Sequence, residues 1–151
     1  MEIEKKRKEI ENIIKKEGDY KEFKHMGYKC VILRHPHLKH LCGYVGVPKD
    51  HILYGVDHDD LPAEFHDVHG GLTFSGFRKE YTNDDLWYFG FDCAHAGDLV
   101  PAVFSTCNGT YRTMEYVEKE CKKLAEKIAE FTKFANKVLC VLELVLKRRK
   151  V

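Results

Sequence analysis

From Met114 onward the chain carries an apolar pattern that does not break. Met114, Val117, Cys121, Leu124, Ile128, Phe131, Ala135, Val138, Leu142 and Val145 follow one another at alternating steps of three and four. That spacing is the signature of a helix with one continuous apolar seam, sustained here over five heptads. Neither Gly nor Pro interrupts it, and either Thr110 or Thr113 is placed to cap its start. Lys147, Arg148, Arg149 and Lys150 suit its C-terminal end. A helix filling most of residues 111–150 would run roughly 55 Å at 1.5 Å per residue. A domain of this size is only about 30–40 Å across. The helix is therefore expected to overhang its own domain, and the overhanging VLCVLELVL is too apolar for water. The expectation is self-association through this helix, as a homodimer or higher homo-oligomer, with an N-terminal helix packed alongside. The alternative is a helix that breaks near Asn136 and folds back.

The rest of the chain reads differently. Residues 1–18 predict a helix with Ile3, Ile10, Ile13 and Ile14 near one face and Gly18 after its end. Residues 27–110 predict a sheet and pocket region. Strands are expected at 27–35, 41–48, 68–77 and 86–93, from their β-branched, apolar and aromatic content. No β–α–β spacing occurs among them, so the sheet is read as antiparallel. The fold expected is α+β: one domain spanning 1–151, with about four antiparallel strands, an N-terminal helix and the long C-terminal helix. His35, His37 and His40 fall in a turn without interleaved carboxylates, which reads as a His-rich loop rather than a metal patch. Gly43 and Gly46 weaken the second strand, and invite close approach by a ligand or by another backbone. Residues 48–71 read as a long ordered loop.

Charge separates the chain into thirds. Residues 1–49 are net +5, residues 50–100 net −9 and residues 101–151 net +5. The acidic middle argues against nucleic acid as a partner, and Asp57, Asp59, Asp60, Asp84 and Asp85 read as solvated surface acids. The six cysteines form no C-x-x-C and read mostly as small buried hydrophobes. The absence of a secretory signal and of a membrane-length apolar run predicts a cytoplasmic protein with no membrane contact.

The chemistry-bearing stretch is His69 to Asp98. Its His-Gly-Gly turn (His69, Gly70, Gly71) offers backbone N–H groups of the kind that bind anions. Thr73 and Ser75 add hydroxyls, and Trp87 adds a stacking face. Asp92, His95 and Asp98 add hydrogen-bonding groups, and Arg112 reaches in from the start of the long helix, or from that of a partner copy. Together these ten residues are the parts of a pocket for a small nucleotide-like molecule, with no cofactor required. A second reading takes His69, Asp92, His95 and Asp98 as ligands of Zn or Mn in a metal-dependent hydrolase, although D-x-x-H-x-x-D matches no standard zinc spacing. Cys93 paired with His69 or His95 is a third arrangement, that of a nucleophile. Residue types alone leave catalysis undecided.

GYVGVPKDH, VHGGLTFSG, LWYFGFDCAHAGDLVP and YRTMEYVEKECKKLAEKI, spread over residues 43–128, resemble a family of small proteins encoded by bacteriophages and prophages. The resemblance implies a viral protein acting in the host bacterial cytoplasm, and it brings no activity and no catalytic residue. In that setting the pocket suggests counter-defence: a sponge that sequesters a nucleotide-derived signal of host antiviral defence. The alternatives are the metal-dependent hydrolase of a similar small molecule, and a protein–protein inhibitor of a host factor.

Overall fold

A computed structural model describes residues 1–150. Helix α1 (Glu2–Glu17) leads into a hairpin of β1 (Tyr20–His25) and β2 (Tyr28–Arg34), then β3 (Leu41–Val47). A long connection carries two 3-10 turns, His58–Asp60 and Ala63–His66. Strand β4 (Phe74–Gly76), a single helical turn α2 (Lys79–Thr82), β5 (Trp87–Asp92) and helix α3 (Met114–Arg149) complete the chain. The sheet is antiparallel throughout, in the order β1-β2-β3-β5-β4. The α+β architecture is the one that the sequence predicts, with five strands rather than four.

The additional strand is β1. Its YKEFKH is largely exposed, because it forms one edge of the sheet, where lysines and a glutamate discourage pairing with another chain. Met26 and Gly27 both take positive φ, at 53° and 81°, which is how a two-residue hairpin turn matches the twist of its strands. The strand expected over 68–77 shortens to Phe74–Gly76. Residues 69–71 turn on two glycines of positive φ, Gly70 and Gly71.

One sheet face receives the first half of α3. Alternation along the strands sends Cys30, Ile32, Leu41, Val45, Val47, Phe89 and Phe91 to meet Met114, Val117, Cys121, Leu124 and Ile128. Leu53, Leu61, Phe65, Val68 and Leu72 of the long connection close the sides of this core. Full burial of a side chain of this kind contributes roughly 1.5–3 kcal/mol. The close approach that Gly43 invites is made by α3: a Cβ there would lie 2.5 Å from the Phe91 ring and 2.7 Å from Cys121 Sγ. The opposite face carries a smaller cluster of Val31, Leu33, Tyr44 and Tyr88, with Cys42, Phe74 and Leu86 packed on it.

Helix α3 is continuous through Asn136 and does not fold back. Thr113 caps it, accepting a hydrogen bond from Tyr116 N. Its seam is buried to Ile128 and half-buried at Phe131, and from Lys133 the helix stands clear of the domain. Helix α1 does not pack alongside this overhang. It lies on the loop after β5, where Arg7 donates to Phe104 O at 3.3 Å and stacks on the Phe104 ring. No helix is long and apolar enough to cross a membrane among the described residues.

Gly43→Val should destabilise the protein by about 2–3 kcal/mol, because the wall it meets is ring and helix rather than a flexible chain end. A lowered urea midpoint with an unchanged slope would show it.

Candidate functional site

The end of β5 and the start of α3 come together around one carboxylate. Asp98 follows β5 by six residues and its side chain is fully buried. It accepts from His69 Nε2 at 2.7 Å, from Arg112 Nε at 2.9 Å and from the His95 backbone N–H at 3.0 Å. The loop is closed beneath it by Leu99 N donating to Thr110 O and Thr110 N donating to Gly97 O. Burial raises the Asp98 pKa, but the hydrogen bonds from His69 and Arg112 outweigh it and hold the carboxyl below its ordinary value.

His69 is held on both sides. Its Nδ1 lies 2.8 Å from Tyr116 Oη. Tyr116 Oη in turn donates to Glu120 Oε1 at 3.3 Å. Burial first, and then the Glu120 carboxylate, raise the Tyr116 pKa, so the phenol stays protonated and is no nucleophile. Gly70 supplies room: at φ 69° it lies beneath the His95 ring, which a Cβ would meet at 2.2 Å. The His-Gly-Gly turn is thus a packing element, and Gly71 N–H is engaged by Val68 O at 2.8 Å.

The ten residues singled out in the sequence do not form one pocket. His69, Gly70, His95, Asp98 and Arg112 converge. Asp92 joins their edge, with its Oδ1 3.2 Å from His95 Nε2 and its Oδ2 accepting from Thr73 Oγ1 at 3.1 Å. Trp87 stands at the other end of β5, about 17 Å away at 3.4 Å per residue. There it packs against Tyr54 and Phe77 and donates to Val56 O. Ser75 bonds His58, at 2.9 Å from both its backbone N and its Nδ1. Arg112 serves the Asp98 of its own chain, so no partner is needed to complete this cluster.

The metal and nucleophile readings meet physical obstacles. Both ring nitrogens of His69 are engaged, which leaves it no lone pair for an ion. Among the described residues, the one group whose ligand atoms all lie within 4.8 Å of one another is Asp57, His58 and Asp59. Within it, Asp57 caps a 3-10 turn and His58 bonds Ser75. Cys93 is 2% exposed, and burial pushes its thiol far up, away from the thiolate that a nucleophile requires. Asp84 is no bare surface acid either. It accepts from Lys29 at 2.9 Å and from Tyr88 Oη at 2.8 Å.

An open groove lies elsewhere, on the sheet face away from α3. Two hollows of about 350 and 270 Å³ adjoin there and share Leu33, Arg34, His35, Pro36 and Tyr81 as walls. Gly90 makes the floor, because the Tyr44 ring lies flat on it where a Cβ would sit 2.4 Å away. Arg78 stacks over that ring at 4.7 Å, with Phe74 and Tyr81 at 4.9 and 5.1 Å, and donates to Tyr44 Oη at 2.8 Å. Its Nε is buried without a hydrogen-bond partner, and its Nη1 donates to Glu80 Oε1 at 3.2 Å. The smaller hollow is lined by Arg34, His35, His37 and Arg78 and by no acid. In the larger, the one acid is Asp19, which is paired with Arg34 at 3.1 Å. Arg34 itself is saturated by Gly18 O, Lys39 O and Tyr111 Oη. A larger cleft of about 440 Å³, between α1 and the loop after β5, mixes Arg7, Lys15 and Lys39 with Glu11 and Asp19 and offers no field of one sign. Sequence reasoning missed the groove because Arg78, Tyr44 and Tyr81 meet only through the sheet.

No protein-family model, curated protein or solved structure matches this chain.

Replacing Asp98 by Asn should cost about 2–3 kcal/mol at neutral pH, since His69 and Arg112 lose a buried charged partner. A folded-state pKa held below its unfolded value contributes stability that is complete above the unfolded value. That stability is lost as pH falls through the folded one. Wild-type urea midpoints should therefore drop below roughly pH 4, and the variant's acid limb should be shallower.

Proposed function

We propose that the protein binds a small anionic molecule of the nucleotide class in the groove over Tyr44 and releases it unchanged. The observation that carries this reading is the lining of the smaller hollow: Arg34, His35, His37 and Arg78 with Tyr44 and Tyr81, and no carboxylate. Planar aromatic and guanidinium surfaces accept a base by stacking. The Arg78 guanidinium, whose Nη1 is held by Glu80 at 3.2 Å, can exchange that partner for a phosphate oxygen. The groove also holds no ionised thiol or preassembled metal site, so it favours holding over converting.

The resemblance to phage and prophage proteins adds a setting. In a host bacterial cytoplasm such a binder would act as a sponge for a nucleotide-derived defence signal. The His69–Asp98–Arg112 cluster takes the supporting role of fixing the loop after β5 to the start of α3.

Isothermal titration with cyclic mono- and dinucleotides, followed by heat release and mass spectrometry, tests the proposal. We expect saturable binding and recovery of the intact molecule. Arg78→Ala should weaken binding by about tenfold or more, the scale of one lost charge-assisted contact. His69→Ala should lower stability and spare affinity. Affinity lost in folded His69→Ala but kept in Arg78→Ala would move the site back to the Asp98 cluster, and recovery of a converted product would make the protein an enzyme.

A further inference from the structure

Helix α3 leaves the domain with its most apolar surface uncovered. Eight large side chains between Phe134 and Leu146 are 41–65% exposed: Phe134, Val138, Leu139, Val141, Leu142, Leu144, Val145 and Leu146. All but Leu144 fall on one side of the helix at 100° per residue, within an arc of about 160°. The arc continues the seam that the same helix buries against its own sheet. The exposed area of the seven on that side is roughly 700 Å², close to the amount that each partner contributes to a standard stable interface. An apolar patch of this size on an isolated helix calls for an occupant.

The area and the self-complementary seam fit a second copy of the chain, and charge sets its direction. The tip carries Lys147, Arg148, Arg149 and Lys150. The base of the overhang is mixed in charge: Glu130 and Glu64 stand with Lys127 around a hollow of about 280 Å³, Lys127 lies 3.8 Å from Glu130, and Lys133 and Lys137 follow. Phe65, Phe131 and Phe134 form the apolar wall of that hollow. In a parallel pair, two basic tips would lie side by side and repel. In an antiparallel pair centred between Cys140 and Val141, the tip of each helix reaches the base of the other. In that register Arg148 lies level with Lys133 of the second copy, Lys150 with its Phe131 and Val138 with its Glu143, and the two basic tips are held at opposite ends. The two helix dipoles oppose, which adds to the pairing.

We propose that the protein is a two-fold homodimer joined by antiparallel pairing of residues 132–149. The basic tip of each copy lies along the base of the overhang of the other. The contact is isologous, as two-fold dimers require, and closes the assembly at two copies.

Sedimentation equilibrium of the full chain at tens of micromolar should give twice the 17.6 kDa chain mass. Leu142→Glu with Val145→Glu should raise the dimer dissociation constant by about 100-fold or more, as expected for charges placed at the centre of an interface. Circular dichroism should show the fold retained, because both positions lie outside the domain. Arg148→Glu should strengthen pairing, because it sets an acid level with Lys133 of the second copy, and the further change Lys133→Glu should cancel the gain. Direction is read from a chain carrying Ala135→Cys, Leu146→Cys and Cys140→Ser: oxidation should give 135–146 cross-links between copies. Cross-links of 135 to 135 and 146 to 146 would overturn the antiparallel arrangement. A wild-type monomer at these concentrations would overturn the dimer, and binding of that monomer to anionic phospholipid vesicles would identify a membrane surface as the occupant instead.

Discussion

The position of α3 on the sheet is fixed where Gly43 lets Phe91 and Cys121 close over the backbone of β3. Everything else of consequence is referred to that contact. With Cys121 seated there, Val117 and Met114 lie one and two turns earlier in the core. Arg112 and Tyr116 then stand at the end of the sheet, within reach of Asp98 and His69. Toward the other end, Leu124 and Ile128 complete the packed stretch, and the sheet runs out at about Phe131. The length of the overhang follows from where this one contact falls along a 36-residue helix. A bulkier residue at 43 would lift the helix and loosen the Asp98 cluster together with the core.

Two buried charges work to the same end around the start of α3, Arg34 through Tyr111 and Asp98 through Arg112. Arg34, with its side chain 1% exposed, ties Gly18 and Asp19 after α1 to Lys39 in the His-rich turn and to Tyr111 before α3. Asp98 ties the turn at His69 to the start of α3. Each replaces its lost hydration with several directed hydrogen bonds, the condition under which a buried charge is tolerated. The segments they gather, 35–40, 69–71 and 94–112, have little apolar surface of their own to hold them in place. The charged hubs supply what hydrophobic burial cannot.

Sequence reading succeeded where a pattern is local. The seam of α3, its cap at Thr113, the amphipathic start and the aromatic strand β5 are all visible in short windows. It failed where the answer depends on a partner far along the chain. Periodicity is the same on either side of Phe131, so the seam alone could not say where burial ends. Strand β1 was hidden because an edge strand is selected for charge, and YKEFKH has no apolar run. Trp87 and Asp98 are close in sequence, but an extended strand separates them as a turn would not. Arg78 lies in a polar stretch that reads as a turn, and its aromatic neighbours Tyr44, Phe74 and Tyr81 come from three separate segments. The residue types expected at a site were real, but the fold uses most of them to hold itself together.

The two faces of the sheet divide the labour. Helix α3 covers one face and carries the surface that lacks a partner, while the groove over Tyr44 opens on the other. Pairing through residues 132–149 would therefore leave both grooves outward-facing, each complete within one chain. The consequence is that ligand affinity and self-association should be separable. Nothing on the groove face is buried by the pairing, and no side chain of the overhang lines the groove. What two copies would add is proximity. Two identical open sites on one rigid pair of helices could hold a two-ended ligand only if it spanned both bodies, a distance of tens of ångströms on the helix rise. A ligand of nucleotide size would be far too short for that, so under the proposed reading each groove would recognise its whole ligand alone, with Tyr44, Tyr81 and Arg78 supplying the selectivity.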